Sequence, residues 1–319
     1  MSKHQVVIRL AVLSLLLLAV GAQAQRAYKV DIVRDTFHFS SLSKKSVSLD
    51  DLHQGCPARD CIPSIDDPKF VSAADATYVA DDDIIIAISF GGEHRAYPTR
   101  ILDHHEIVND TIADTPLAIT WCPLCGSAVG VRRDVGDTIT EFGVSGVLYN
   151  SDLVFYDRET ETLWDQVEAK GIVGPLTGKT LDLVPVTMTR WSRWREAHPD
   201  TLVLSTDTGF EEDYSGDPYA EYRSTDRLFF PVAQRDNDVF PKTVVYGFEI
   251  DGDSVAYTED LLREHGTYKN EIDGEAAAVV MRDDGSVILE LGNSGARYAP
   301  IRLFWFAWYT FHPKTQLFQ

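Results

Sequence analysis

An internal repeat constrains the fold of this chain more than any other feature of its sequence. Residues 84–118 match residues 244–278 at a constant offset of 160 positions, without a gap. Each copy runs from an apolar, β-prone stretch through a turn dipeptide, Gly91-Gly92 or Asp251-Gly252, into a second apolar stretch. This pattern predicts a β-hairpin in each copy. A repeat of this kind predicts two units of the same fold.

A second pair of matching segments closes the two copies. Residues 191–201 and 305–315 share the pattern Trp-x2-Trp-x3-His-Pro-x-Thr at an offset of 114 positions. The two tryptophans and the histidine fall on one face of a helix, which the proline ends. We interpret the tryptophans as core residues; a platform for stacking a ligand is the alternative. Helices are also predicted at about 98–107 and 258–265.

The sequence therefore predicts an α+β protein of two duplicated lobes, each of mixed, mainly antiparallel sheet with short helices. The second copy lacks the region around Cys122 and Cys125, so any chemistry is expected in the first lobe. We divide the chain into a signal peptide at 1–24, an N-terminal extension at 25–61, a first lobe at 62–230 and a shorter second lobe at 231–319.

The first 24 residues indicate export. Basic residues precede an almost wholly apolar run at 10–20, and residues 22–24, Ala-Gln-Ala, form a small-x-small cleavage site. An uncleaved anchor is the alternative, although the run is short for a membrane span and no later run is long enough. We predict an exported protein, periplasmic or extracellular, with no membrane span after signal cleavage. Its net charge of −20 argues against a nucleic-acid partner but indicates no specific one. The partner we expect is a small molecule or a metal.

The first cysteine pair, Cys56 and Cys61, lies in a polar turn near the predicted mature N-terminus. In an oxidising compartment a short-loop disulfide is the expected state of such a pair. Two alternatives stay open from the sequence: free thiols, or a four-cysteine metal site that also uses the second pair.

The second pair lies in Trp121-Cys122-Pro123-Leu124-Cys125-Gly126, the cysteine knuckle, just after the apolar stretch 117–120. A Cys-Pro-x-Cys-Gly turn can direct both sulfurs to one side, and glycine accepts the positive φ that such a turn often needs. Two neighbouring thiols suit a soft metal, disulfide exchange or a structural bridge. The residues after the turn look like a strand, whereas exchange motifs normally open a helix.

Polar residues are dense on both sides of the cysteine knuckle. Such residues commonly cap turns, which is the simpler interpretation for Asn109-Asp110 and Asp157-Arg158. Asn150-Ser151-Asp152 is harder to explain in this way, because it interrupts a stretch that is apolar on both sides. The candidate ligand-binding residues are Asn109, Asp110, Tyr149, Asn150, Ser151, Asp157 and Arg158.

Several motifs occur in a fixed order between about 62 and 319: Ala-Tyr-Pro, His-Glu-x-Val-Asn-Asp, Trp-Cys-Pro-Leu-Cys-Gly, Phe-Gly-Val-Ser-Gly-x-Leu-Tyr-Asn-Ser-Asp-Leu, Tyr-Asp-Arg and His-Pro-Asp-Thr. This order resembles the bacterial domain of unknown function 3179 family. The resemblance implies no activity, and Cys56 and Cys61 depart from the family pattern. It implies that the family's signature positions are His105, Glu106, Asn109, Asp110, Cys122, Cys125, Asn150, Ser151, Asp152, Asp157 and Arg158.

Three functions are compatible with the sequence. The one we favour is a soft-metal site with Cys122, Cys125 and His105 as ligands and zinc or copper as the metal. The repeat argues against the histidine, because His265 is retained where the cysteines are absent. The alternatives are a thiol–disulfide oxidoreductase, and a non-catalytic two-lobe ligand-binding protein with a structural cysteine pair.

Catalysis is an extension of the metal hypothesis. A metal-bound water with Glu106 or Asp152 as general base could act on a small substrate. A Trp-Cys segment beside acidic residues also occurs in organomercurial lyases, which is a weak analogy. The sequence contains no Gly-rich phosphate loop, Rossmann fingerprint or Gly-x-Ser-x-Gly elbow, so we expect neither a nucleotide cofactor nor serine-hydrolase chemistry.

Overall fold

The computed structural model describes residues 31–319. The predicted signal peptide and the first residues of the predicted N-terminal extension lie outside this range. Within it the chain is mainly strand, arranged in several antiparallel sheets with a few short helices. The predicted α+β class with mainly antiparallel sheet is confirmed.

The strands of the described chain are short. They are β1 (Leu52–Gln54), β2 (Phe70–Ser72), β3 (Ile84–Phe90), β4 (Glu93–Pro98), β5 (Ile107–Ile112), β6 (Thr115–Cys122), β7 (Ser127–Arg132), β8 (Asp134–Val135), β9 (Thr138–Ile139), β10 (Phe142–Tyr149), β11 (Asp152–Asp157), β12 (Leu163–Asp165), β13 (Lys170–Val173), β14 (Leu183–Val184), β15 (Thr187–Arg190), β16 (Leu202–Leu204), β17 (Val244–Ile250), β18 (Asp253–Thr258), β19 (Thr267–Ile272), β20 (Glu275–Met281), β21 (Val287–Leu291), β22 (Arg297–Tyr298), β23 (Ile301–Phe304) and β24 (Gln316–Phe318). The helices are α1 (Thr99–Leu102), α2 (Trp191–Ala197), α3 (Ala220–Ser224), α4 (Glu259–His265) and α5 (Trp305–Phe311), with a π-helical turn at Ile32–Thr36 and a 3-10 turn at Leu49–Asp51.

The larger sheets contain four or five strands each. Their strand orders are β1-β10-β11-β12-β13, β14-β7-β6-β5, β15-β3-β4-β16-β2, β23-β17-β18-β24 and β19-β20-β21-β22, beside the ribbon β8-β9. Among these strands the neighbours are antiparallel, apart from β16 with β4 and β18 with β24. Short loops therefore connect most of the neighbouring strands.

The two halves of the chain contain sheets with the same arrangement. The order β15-β3-β4-β16 corresponds to β23-β17-β18-β24, and both include one parallel pair at the same place. The register also corresponds, since Ile85 pairs with Pro98 as Val245 pairs with Thr258. The segments that match in sequence therefore form elements of the same order and pairing.

The helix of the first half is shorter than predicted. It was expected over about 98–107, but α1 ends at Leu102 and β5 begins at Ile107. Glu106 has a φ of 57°, outside the right-handed helical region, and therefore ends the helical path before the strand. At the equivalent repeat position Gly266, with a φ of 65°, directly follows α4. Glycine adopts this conformation readily, whereas a glutamate there is strained.

The tryptophans of the closing segments are core residues, as predicted. Trp191, Trp194, Trp305 and Trp308 are buried. One hydrophobic cluster contains residues of both predicted lobes, including both cysteines of the knuckle and the last strand before α5. The core is therefore continuous between the halves beside the cysteine knuckle.

Cys56 and Cys61 form the predicted disulfide, with their Cα atoms 6.4 Å apart. This pairing removes the alternatives of two free thiols and of a four-cysteine metal site. Disulfides are typical of oxidising compartments, and the location itself stays a prediction. Among residues 31–319, no helix has the length and apolar character needed to cross a bilayer.

Candidate metal centre

The cysteine knuckle is the turn between β6 and β7. Cys122 ends β6 and pairs with Ser127, the first residue of β7, so the predicted strand after the turn is present. Gly126 has a φ of 60°, which a side chain would make unfavourable. This tight connection brings the thiols of Cys122 and Cys125 together, and both residues are buried and reduced.

Asp152 joins the thiols from a second hairpin. β10 and β11 are connected by Asn150-Ser151, two residues with positive φ, as in a type I′ turn. One carboxylate oxygen of Asp152 and the two sulfurs lie within 4.8 Å of one another. The Cys125 thiol donates to the Ser151 carbonyl at 3.4 Å, and Asn150 Oδ1 accepts from the amide of Ala233 at 2.9 Å. Two thiols and a carboxylate are donors that zinc accepts.

The Asp152 carboxylate is held at one oxygen only. Oδ2 accepts from the backbone amides of Gln166 at 3.2 Å and Val167 at 3.0 Å. Oδ1 is buried without a hydrogen-bond partner in the described chain. Burial raises the pKa of Asp152 to about 7. One oxygen therefore fixes the orientation of the carboxylate and leaves the other for a ligand.

Gln166 links the two hairpins behind this carboxylate. Its Oε1 accepts from the Ser127 hydroxyl at 2.6 Å, and its Nε2 donates to Thr120 Oγ1 at 3.1 Å and to the Ser127 carbonyl at 3.2 Å. All three side chains are fully buried. A satisfied polar network of this kind fixes the position of the strands that carry the thiols.

The groups of the site favour their neutral forms. Burial raises the pKa of both thiols, and for Cys125 the proximity of Cys122 adds to the effect. Burial, and after it the carboxylates of Asp103 and Asp152, raises the pKa of Glu106 to about 8. Several negative charges in so little water would be costly. The thiols and the Glu106 carboxyl therefore retain protons near neutral pH unless a cation compensates them, and Asp152 is then protonated in about half of the molecules.

Aromatic residues from distant parts of the sequence cover the cluster. Tyr222 on α3 is buried, and within residues 31–319 its hydroxyl has no hydrogen-bond partner besides the Ser151 side chain. Burial, and after it the charge of Cys125 and Cys122, raises the pKa of Tyr222. From the second half, the ring of Phe304 packs on Gly126, and the Phe304 amide donates to the Cys125 carbonyl at 2.8 Å. The second half therefore contacts the knuckle directly.

The structure does not bring His105 to the thiols. Its Nδ1 lies 2.8 Å from the Pro63 carbonyl and its Nε2 lies 2.7 Å from the Tyr214 hydroxyl. Both ring nitrogens are used in these hydrogen bonds, so neither is free to bind a metal. In place of the predicted histidine, Asp152 is the third donor beside the sulfurs.

Asn109 and Asp110 bond inside the protein. The Asn109 side chain accepts from the Phe142 amide and donates to its carbonyl, both at 2.9 Å. The Asp110 carboxylate accepts from the buried Tyr97 hydroxyl at 2.6 Å. These contacts connect β5 to neighbouring strands, which is a structural role.

Three further predicted ligand-binding residues, Asp157, Arg158 and Tyr149, are also not among the donors beside the two sulfurs. Asp157 accepts from the indole of Trp164 at 3.0 Å within its own hairpin. Arg158 is exposed and forms an ion pair with Asp66 at 2.8 Å. Tyr149 is partly buried at the end of β10. Of the seven predicted ligand-binding residues, Asn150 and Ser151 lie beside the two cysteines and Asp152, because they form the turn that precedes Asp152.

A cleft of about 360 Å³ borders the knuckle. Asp103, Trp121, Gly126, Arg223 and Phe304 are among its lining residues, and we call it the thiol-side cleft. Asp103 accepts from the Trp121 indole at 2.8 Å, and burial raises the pKa of Asp103 to about 6. Solvent therefore reaches the outer face of the turn that carries the thiols.

Two residues of the site were not found from the sequence. Gln166 directly follows β12 and begins a turn, and no motif in its sequence neighbourhood predicts its contacts with Thr120 and Ser127. Tyr222 lies in a stretch of about 205–240 with little regular structure. Its sequence neighbourhood contains no motif that would predict its contact with the cysteine knuckle.

A comparison with known families places this chain. The model of the family described as "Protein of unknown function (DUF3179)" matches residues 59–297, which include the knuckle, the Asn150-Ser151 turn and most of the second half. No curated protein and no solved structure matches the chain. Because the family model covers most of the sequence, the chain belongs to the DUF3179 family.

Proposed function

We propose that this protein is an exported metal-binding protein in which Cys122, Cys125 and Asp152 bind a single zinc ion. Zinc takes thiolate sulfur at about 2.3 Å and carboxylate oxygen at about 2.0–2.2 Å, commonly with four ligands. Copper(I) is selected by soft sulfur ligands, so the carboxylate favours zinc over copper. The fourth position would then belong to water or to a small ligand.

The observation that carries the proposal is the set of unpartnered polar atoms beside the thiols. Asp152 Oδ1 is buried without a hydrogen-bond partner in the described chain, and Ser151 Oγ and Tyr222 Oη have none there besides their interaction with each other. Buried polar groups nearly always have partners, so such atoms in one place indicate a missing ligand. An ion bound at the sulfurs would satisfy Asp152 Oδ1 directly.

The redox states of the two cysteine pairs support the same conclusion. Cys56 and Cys61 are joined, whereas Cys122 and Cys125 are not, although their sulfurs lie within 4.8 Å of each other. A bound cation would keep adjacent thiols from forming a disulfide in an oxidising compartment. It would also balance the negative charge that burial otherwise disfavours.

The same features argue against thiol–disulfide exchange. An exchange cysteine needs a low pKa and access to its partner, whereas burial raises the pKa of both thiols here. Cys125 is followed by β7 rather than by a helix whose N-terminus would stabilise a thiolate. Of the two predicted general bases, Asp152 is used as a ligand in this proposal, which leaves Glu106 for that role.

Native mass spectrometry of protein purified without chelator tests the proposal. We expect one zinc per chain, loss of that mass in Cys122→Ser and Cys125→Ser, and weaker binding in Asp152→Asn. The double variant Cys56→Ser, Cys61→Ser is the control, because it removes the other two cysteines, which form the disulfide, and leaves the knuckle intact. Wild-type protein that takes up neither zinc nor copper after reconstitution would contradict the proposal. A 122–125 disulfide or two inert thiols would then point to the structural cysteine pair.

A further inference from the structure

A second cleft, of about 380 Å³, lies where the two halves of the chain meet. Four of its lining residues are arginines, and we call it the arginine cleft: Arg190, Arg193, Arg263 and Arg302. Arg190 and Arg193 come from the first half, and Arg263 and Arg302 come from the second. The volume is in the range of small-molecule sites. This concentration of positive charge occurs in a chain whose net charge is −20.

The carboxylates around the arginine cleft do not balance these charges. Glu259, the single acidic residue that lines it, is shared by Arg263 and Arg302, each at 2.9 Å. Arg190 forms an ion pair with Asp82 at the exposed rim. Arg193 forms no ion pair among residues 31–319. The cleft therefore keeps an excess of positive charge.

Two guanidinium groups in the cleft each direct one nitrogen at a thioether, and Arg302 is also bonded to Glu259 and to the Tyr246 hydroxyl. Arg193 Nη1 lies 3.9 Å from the sulfur of Met281, and Arg302 Nη1 lies 4.0 Å from the sulfur of Met188. A thioether is a weak acceptor, so neither contact satisfies a charged donor. The Arg302 side chain is only 13% exposed, which leaves little access to water. Donors in such surroundings favour an acceptor with negative charge.

We propose that the arginine cleft binds a small oxyanion, either a carboxylate or a phosphate, with Arg193 and Arg302 as its main contacts. Both kinds of ligand present planar or tetrahedral oxygens that a guanidinium binds through two parallel hydrogen bonds. The exposed parts of Arg190 and Arg263 would hold the ligand's outer side. The arginine cleft shares Ile84, Met188 and Arg302 with the thiol-side cleft, but none of the proposed zinc ligands lines it, so the proposal does not depend on the zinc site.

The repeat supports a specific role for this charge. Arg263 occupies the repeat position of Asp103, and Met281 occupies that of Trp121. Asp103 and Trp121 line the thiol-side cleft, while their counterparts line the arginine cleft. At one of these two equivalent positions the charge is reversed, from Asp103 to Arg263. We infer that the arginine cleft is specialised for an anion rather than being a by-product of the repeat.

Isothermal titration calorimetry with inorganic phosphate and with malonate, at constant ionic strength, tests this proposal. We expect saturable binding of at least one anion to the wild-type chain, and the anion that binds identifies the ligand class. Arg193→Gln should weaken binding at least ten-fold, which corresponds to the loss of a hydrogen bond to a charged group. Arg195→Gln is the matched control, because Arg195 lies on the same helix, pairs with Asp81 and does not line the cleft.

The possible outcomes distinguish binding at the arginine cleft from nonspecific electrostatic attraction of anions to the protein. Binding that Arg193→Gln weakens and Arg195→Gln leaves within two-fold supports the site. Equal weakening by both variants, or no saturable binding of either anion, overturns it. Circular dichroism checks that each variant is folded, and Arg263→Gln replaces Arg193→Gln if the latter is not. Zinc content is measured in the same samples, and its loss would contradict only the proposed metal site.

Discussion

The two halves of the chain share one strand arrangement, but further strands pack over it only in the first half. β5 is buried at five of its six residues, whereas its counterpart β19 is buried at one. In the first half, β10 and β11 pack against β5 and β6. At the position of Cys122 the second half has Arg282, and at that of Glu106 it has Gly266.

This difference shows which part of the structure creates the polar site around the thiols. The scaffold of paired hairpins is present in both halves, but the thiols and carboxyl groups are buried only where the extra hairpins cover it. Burial turns ordinary polar residues into groups that need a partner or a cation. The site is therefore a property of the covering segment together with the scaffold.

The largest expected effect comes from the glycine of the knuckle. Gly126 and Gly266 have φ values of 60° and 65°, but a Cβ at Gly126 would lie 2.8 Å from the Phe304 ring, whereas Gly266 has open space around it. Gly126→Ala should lower the free energy of unfolding by about 2–5 kcal/mol, from backbone strain plus overpacking. Gly266→Ala should lower it by about 1–2 kcal/mol, from strain alone.

Urea denaturation of the two glycine variants measures this difference. Equal losses of stability would mean that Phe304 does not restrict the knuckle. The contact between the halves would then have no energetic role at this position.

Glu106 gives the next effect, and it depends on pH. In the folded metal-free protein the pKa of Glu106 is about 8, against an ordinary value of 4.5, so the folded state holds an extra proton between these values. The free energy of unfolding should therefore decrease as the pH rises from about 4.5 to about 8. Glu106→Gln should remove a loss on the order of 5 kcal/mol at pH 9, as measured by urea denaturation at pH 5 and pH 9.

The exposed Glu264, two positions before Gly266, provides the control for this measurement. Glu264→Gln should leave the pH dependence of wild-type stability unchanged. If Glu106→Gln behaves in the same way, the carboxyl of Glu106 is not buried as described.

A smaller effect distinguishes two equivalent tyrosines. The Tyr97 hydroxyl donates to the Asp110 carboxylate at 2.6 Å. Tyr257 occupies the same repeat position, and its hydroxyl accepts from the neutral side-chain amide of Asn270 at 2.9 Å. Tyr97→Phe should cost about 1.5–3 kcal/mol, because it removes a bond to a carboxylate. Tyr257→Phe should cost about 0.5–1.5 kcal/mol. Thermal unfolding of both variants measures the difference, and a larger cost for Tyr257→Phe would reverse the comparison.

Much of the scaffold could be predicted from the sequence because its signals are local. The hairpin turns, the tryptophan helices and the strand after the knuckle follow from turn residues and periodicity within a few positions. The Cys56–Cys61 disulfide follows from short spacing and a polar turn. The end of α1 was missed because Glu106 occupies a left-handed position that favours glycine.

The donor set of the site could be predicted only in part because it depends on distant contacts. Cys122 and Cys125 were found from their spacing, and Asp152 was named for a different role. His105 was expected beside the thiols, but its two hydrogen bonds are to Pro63 and Tyr214, which no local pattern indicates. Tertiary contacts between segments tens of residues apart decide these positions.

X-ray absorption at the zinc edge tests the central claim most directly, because it reports the atoms bound to the metal. Zinc-loaded wild-type protein should show two sulfur ligands at about 2.3 Å and lighter ligands at about 2.0–2.2 Å. Asp152→Asn should keep both sulfurs. A first shell of nitrogen and oxygen alone, with no sulfur, would contradict a metal centre built on Cys122 and Cys125.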